Sequence, residues 1–274
     1  MFNYLIDKIN DAPFIDEPFK FVYIEDFFSD HHFNTIINDA QIKFPEFPSI
    51  EGMMEYLHYQ GYKPQPFPGC TTDEAAYAEW CKTGNGVKPS HAHGLIEGFG
   101  MAYRLQKYKT YFLEQLLEFL NSELFLSTIR DKFNISNDVF VETAIQKYLT
   151  GYEISPHPDI RKKALTYMLN INPRPVEGCG TYFMKFKPEW EHIYDFWKSE
   201  SRVDRCWVPW DWCETQFTQL ENNSITIFAP GDKTLHAVKL DYEHLSTQRT
   251  QVYGNLWWNN KPKVAPLTWQ HFAQ

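Results

Sequence analysis

The second half of the chain alternates short β-rich runs with turn residues, and this pattern restricts the fold more than any other feature. The runs are 138–149, 164–172, 180–186, 224–229, 234–240 and 248–258. Most are too short for a buried helix, and they are bounded by Gly, Pro, Asn and Asp. The first half reads differently. A β-rich run, EPFKFVYIEDFF at 17–28, leads into Ser29-Asp30, a helix start, and predicts a helix from His31 to Lys43, closed off by Pro45 and Pro48. Residues 49–95 have no clear period. From 98 to 131, Leu105, Tyr108, Phe112, Leu116 and Phe119 recur every three or four residues, opposite Lys107, Glu114, Glu118 and Asn121. That spacing predicts a helical region packing one apolar face on a core. Helices first and strands later predict a mainly β fold with α, a sandwich or barrel buttressed by N-terminal helices. A single domain is expected over 1–274, with 1–135 as support and substrate region and 136–260 as the β core. Segment 187–222 breaks the strand spacing. It carries Trp190, Tyr194, Phe196, Trp197, Trp207, Trp210 and Trp212 and reads as an aromatic insertion, either packed on itself or roofing a substrate.

Charge and cysteine usage narrow the function classes. The net charge is −9 and there is no basic run, so neither nucleic acid nor an anionic membrane is an expected partner. No stretch approaches the roughly 18 apolar residues of a membrane span. Met1 to Phe14 carries Asp7, Lys8 and Asp11 and lacks the apolar core of a secretion signal, so a cytoplasmic location is expected. Five cysteines without a Cys-x-x-Cys pair are expected to be reduced thiols, Cys206 and Cys213 included. His91-Ala92-His93, with Cys70 and Cys81 upstream, has the spacing of a zinc site, but surface or substrate-entrance histidines are the expected reading.

One constellation carries chemistry. His157-Pro158-Asp159 follows the apolar run that ends at Tyr152, His236 lies in GDKTLHAV, and Arg249 stands thirteen residues further on in QRTQVYGNLWW. Two imidazoles and one carboxylate can occupy one face of an octahedral Fe(II) and leave three positions open for a cosubstrate and oxygen. On an extended strand residues i and i+2 share a side, so His157 and Asp159 can reach one metal, with His236 arriving from another strand. Arg249 adds a planar cation suited to a bidentate carboxylate. A His-x-Asp alone is a common chance occurrence, so the surrounding segments matter.

Those segments resemble the Fe(II)- and 2-oxoglutarate-dependent oxygenases, in particular the prolyl-4-hydroxylase-like branch. YLTGYEISPHPD (148–159) is similar to that branch's stretch around the first two ligands. RKKALTYMLNINPRPVEGCGTYFMKF (161–186) resembles its strand ending in Leu-Asn and the turn into the next strand. NSITIFAPGDKTLHAV (223–238) resembles the segment that delivers the distal histidine, and FKFVYIEDFFSDHHFNTII resembles an N-terminal strand and helix. The resemblance covers 140–258 well, 20–40 loosely, and is silent on 45–135. It implies a double-stranded β-helix, or jelly-roll, and a dioxygenase using Fe(II), 2-oxoglutarate and O2. His157, Asp159 and His236 match the iron ligands, and Arg249 matches the residue that pairs with the far carboxylate of 2-oxoglutarate. Tyr148 and Thr166 fall where the cosubstrate pocket is lined, and Gln251 and Trp257 share parity with Arg249. Two departures touch the cosubstrate pocket: the thirteen-residue spacing is long, and Met168 stands where a tyrosine is common. The expected reaction is hydroxylation of a small molecule such as an amino acid or sugar-like metabolite. The alternatives are a peptidyl (prolyl) hydroxylase, with a protein as substrate, and a non-catalytic metal-binding cupin-like protein, which has no use for Arg249. Arg161 is expected to be an exposed cation, with a substrate carboxylate as its alternative partner.

Overall fold

The structure is a computed structural model, and residues 1–86, 98–261, 264–267 and 269–272 are described. His91-Ala92-His93 lies outside the described residues. In chain order the elements are α1 (Tyr4–Asp11), β1 (Phe14–Ile15), β2 (Phe21–Ile24), α2 (Asp30–Ile37), α3 (Ile50–Tyr59), β3 (Tyr62–Pro64), α4 (Glu74–Thr83), β4 (Ala102–Leu105), α5 (Tyr111–Leu120), α6 (Glu123–Phe133), β5 (Val139–Tyr148), β6 (Glu153–His157), β7 (Lys163–Asn170), β8 (Thr181–Phe186), α7 (His192–Ser199), β9 (Cys213–Gln219), β10 (Ile225–Phe228), β11 (His236–Lys239) and β12 (Arg249–Trp258). The fold is mixed α and β, with the strands in two sheets. The larger has the order β1-β2-β10-β7-β12-β5-β4-β3, the smaller β6-β11-β8-β9. Every ladder within them is antiparallel. No helix among the described residues is long and apolar enough to cross a membrane.

Period-two alternation gives the large sheet two different faces. Ile145, Leu165, Tyr167, Leu169, Val252 and Leu256 point outward into one core with Leu113, Leu116, Leu120, Phe125 and Ile129 of α5 and α6. The residues between them point inward: Tyr148, Met168, Arg249, Gln251, Tyr253 and Asn255 line a cavity. The small sheet faces this inner side. Arg249 of β12 donates to Thr181 of β8, and Gln219 of β9 donates to the Met168 carbonyl of β7. Phe21 of β2 meets Phe183 of β8 edge to face, with ring centroids 4.8 Å apart.

Local chemistry sets the helix ends. Ser29, Ser49, Asp73 and Ser122 each cap a helix by accepting from the backbone N–H three residues on. Gly84 ends α4 in the left-handed conformation, and Asn134 ends α6 the same way. These caps correct the expected boundaries. The helix expected over His31 to Lys43 stops at Ile37, because the Asp39 carboxylate accepts from the Gln41 N–H and turns the chain. The 98–131 region contains β4 before any helix, and the Ser122 cap divides its helical part into α5 and α6. Segment 187–222 is not wholly an insertion, since it ends in β9, a strand of the small sheet. All five cysteines are free.

Candidate active site

The small sheet brings the two histidines together. His157 ends β6, His236 begins β11, and the register places them directly opposite, with ring centroids 4.4 Å apart. Asp159 lies just past the end of β6 at φ +63°, so a left-handed turn aims it at the histidines, not the continuing strand the i, i+2 spacing had suggested. Donor atoms of all three residues lie within 4.8 Å of one another. The Asp159 oxygens are 3.6 Å from His157 Nε2 and 3.8 Å from His236 Nε2. A cation bound at about 2.1 Å needs donors roughly 3.0–3.5 Å apart, so the three side chains would draw together around it.

The protonation states suit a cation. His157 Nδ1 is 2.9 Å from the Ser155 carbonyl, and His236 Nδ1 is 2.9 Å from the Thr234 carbonyl. A carbonyl only accepts, so each Nδ1 carries a proton, which leaves Nε2 as the ring atom turned toward a cation. Burial, helped by neighbouring His157, lowers the pKa of His236 to about 3, which keeps it neutral. Burial by itself would raise the pKa of Asp159, but the Lys163 ammonium beside it outweighs that and holds the carboxyl well below its usual range. Two imidazoles and one carboxylate, all buried, form the donor set of a divalent transition metal.

Polar neighbours fix Asp159 on three sides. Lys163 Nζ donates to Oδ1 at 2.7 Å, the Thr166 hydroxyl to Oδ2 at 3.1 Å, and Arg205 Nε to the backbone carbonyl at 3.0 Å. Thr166 is fully buried and its hydroxyl is engaged by Asp159 and Asn255. It therefore supports the carboxylate rather than lining the cavity as a cosubstrate contact.

A cavity of about 220 Å³ opens on the three donors. Tyr253 and Asn255 sit near the donors, Arg249 and Gln251 lie to one side along β12, and Trp257 lies to the other. Arg249 is 2% exposed. Its Nη2 donates to Thr181, its guanidinium lies over the Tyr148 ring at 5.1 Å, and its Nε has no acceptor. Among the described residues no carboxylate pairs with it. A buried guanidinium in that state is costly unless an anion enters. Tyr148 also walls this end, with its hydroxyl 2.6 Å from the Gln146 amide. The Gln251 amide faces the cavity and donates to Asn170 at 2.7 Å.

The remaining candidates separate cleanly. Trp207 lines the cavity, whereas Trp212 stacks on Trp190 at 3.8 Å inside the insertion's own core and Trp210 donates to Glu153. Arg161 clasps the insertion through the Val203 and Trp197 carbonyls and is not part of the cavity wall. Sequence reasoning had not singled out Lys163, Thr181, Arg205 or Tyr253. Only Lys163, four residues past Asp159, left a signal that spacing could have exposed.

No protein-family model and no curated protein matches the chain. Solved structures do. A prolyl-4-hydroxylase from Pseudomonas putida is 9% identical with a TM-score of 0.46, over 95% of this chain and 100% of that one. A prolyl hydroxylase from Trichoplax adhaerens, in complex with a hypoxia inducible factor oxygen degradation domain peptide fragment, is 11% identical with a TM-score of 0.43, over 94% and 89%. A 2OG-Fe(II) oxygenase family oxidoreductase from Burkholderia pseudomallei is 13% identical with a TM-score of 0.36, over 82% and 99%.

Proposed function

We propose that this protein is an Fe(II)- and 2-oxoglutarate-dependent dioxygenase, built on a double-stranded β-helix, that hydroxylates a C–H bond of a small molecule. One observation carries the reading: a buried His-Asp-His donor set shares one cavity with a buried arginine that no carboxylate among the described residues pairs with. His157, Asp159 and His236 would hold the metal by one face. Arg249, braced by Thr181 and Tyr148, would hold the far carboxylate of 2-oxoglutarate, where a fixed planar fork favours bidentate pairing. When bound, iron with 2-oxoglutarate and O2 supplies the oxidising power for C–H cleavage, with succinate and carbon dioxide as coproducts. Trp207 and Phe67 close on the cavity as apolar walls and exclude water from the reacting atoms.

The cavity's modest volume favours a small substrate over a protein chain. A non-catalytic cupin-like protein would gain nothing from burying Arg249. The test is an anaerobic titration of Fe(II)-loaded protein with 2-oxoglutarate, followed by visible absorbance. A weak charge-transfer band is expected, lost in Asp159→Ala and shifted to higher cosubstrate concentration in Arg249→Ala. Iron binding without a band would support the binding-protein reading instead. Succinate release stimulated only by proline-containing peptides would replace the small molecule with a peptidyl substrate.

A further inference from the structure

The cavity wall on the side away from Arg249 carries charges that cosubstrate binding does not use. Lys163 begins β7, lines the cavity and is nine-tenths buried. Its Nζ donates to Asp159 Oδ1 and to the Tyr253 hydroxyl, each at 2.7 Å, and sits between the Tyr253 ring (5.4 Å) and the Trp257 ring (5.6 Å). An ammonium has three N–H donors, and these two acceptors take two of them. Nearby, Glu142 is already matched: it pairs with Arg104 and accepts from Trp257 Nε1 at 3.2 Å.

A charge balance of the loaded cavity, which rests on the oxygenase reading, singles out one group. A divalent metal's two charges are matched by Asp159 and the near carboxylate of 2-oxoglutarate. Arg249 is matched by the far carboxylate, and Arg104 by Glu142. Lys163 is left as a buried cation whose former partner now serves the metal. Such a charge requires an anion.

We propose that Lys163 anchors a carboxylate of the substrate, so that the substrate class is a free carboxylic acid, amino acids included, and not a neutral residue within a peptide. The third N–H of the ammonium and the Tyr253 and Trp257 rings form the anchoring corner. Because Lys163 touches Asp159, the anchored end is the reacting end, and the oxidised carbon lies close to the carboxylate.

The experiment compares acids with their own amides. The probes are the free amino acids and short aliphatic acids, each beside its primary carboxamide. They are titrated into protein loaded anaerobically with Fe(II) and 2-oxoglutarate, reading the shift of the visible band, and by calorimetry into Zn(II)-loaded Arg249→Met protein, which needs no cosubstrate and offers the acids no open arginine. At least one acid is expected to bind tenfold or more tighter than its amide. Lys163→Arg keeps that preference. Lys163→Met loses it even where metal and 2-oxoglutarate are raised until the site is filled, which offsets the weaker metal binding expected from the lost contact with Asp159. The proposal is overturned if no acid binds better than its amide, or if Lys163→Met keeps the preference. It is also overturned if Lys163→Met loses metal and band together, because Lys163 then only positions Asp159. A missing band in the unaltered protein counts against the oxygenase reading alone, since the calorimetric comparison still decides the anchor.

Discussion

Asp159 reaches its position through a left-handed backbone that a non-glycine residue adopts at a cost of about 1–2 kcal/mol. Its neighbours hold it there. Arg205 grips its carbonyl and is itself steadied by Asp232, with Nη1 3.4 Å from Oδ1. Removing that grip in Arg205→Met is expected to weaken metal binding about tenfold, the usual scale for a residue supporting a ligand. The circular dichroism spectrum should stay unchanged, and a metal titration showing undiminished affinity would refute the positioning role. A second buried residue governs pH behaviour away from the metal. Burial lowers the pKa of His244 from 6.5 to about 4, and its Nδ1 lies 3.3 Å from the Tyr77 hydroxyl. Folded protein therefore keeps His244 neutral where the unfolded chain would protonate it. That contribution is fully present above pH 6.5 and disappears as pH falls toward 4, and it is worth on the order of 3 kcal/mol. Urea unfolding between pH 4 and 7 should show a shallower pH slope in His244→Gln than in the unaltered chain, and equal slopes would contradict the assignment.

At the scale of elements, β12 organises both faces of the large sheet, and Gly254 is its tightest point. A Cβ there would come within 2.0 Å of the Tyr167 ring on neighbouring β7, whose hydroxyl is 2.6 Å from Thr143 Oγ1. Gly254→Ala is expected to cost about 1–3 kcal/mol through this overpacking. A urea midpoint equal to that of the parent would show that Tyr167 moves freely. Strands such as β12 were readable because Thr250, Val252, Tyr253, Trp257 and Trp258 crowd β-branched and aromatic residues into ten positions. Two strands of the small sheet were hidden for physical reasons. β6, Glu153–His157, is five residues long and contains Pro156, so its pairing with β11 outweighs its propensity. β9, Cys213–Gln219, is an edge strand with exposed Glu214, Thr215 and Gln216 and no apolar alternation. Conversely, Leu105 fitted a helical stripe but lies in β4, because β4 and α5 bury apolar residues in one shared core. His157, Asp159, His236 and Arg249 stood out as residue types with a shared chemistry. Thr181 and Arg205 did not, because their roles exist only after distant segments meet.

Across the whole molecule, the candidate site lies between the two sheets. Arg249 belongs to the large sheet, while His157 and His236 belong to the small one. A metal chelated by 2-oxoglutarate and gripped by Arg249 would therefore join the sheets, so ligand binding should raise global stability. With Mn(II) in place of Fe(II) to prevent turnover, saturating 2-oxoglutarate at a hundred times its dissociation constant should add about 2.7 kcal/mol. Arg249→Met separates function from stability at this joint. Without ligands the arginine is a buried cation that no carboxylate among the described residues pairs with, so replacing it by an apolar side chain of similar length should leave the fold as stable or about 1–3 kcal/mol more stable. The same variant should lose the stabilisation from 2-oxoglutarate while keeping that from Mn(II) alone, since His157, Asp159 and His236 are untouched. Thermal unfolding of both proteins with no ligand, with metal, and with metal and 2-oxoglutarate measures all three states. A ligand-free Arg249→Met protein that melts well below its parent would mean that Arg249 stabilises the sheet interface through Thr181 and Tyr148, and that its burial is not a site waiting for an anion.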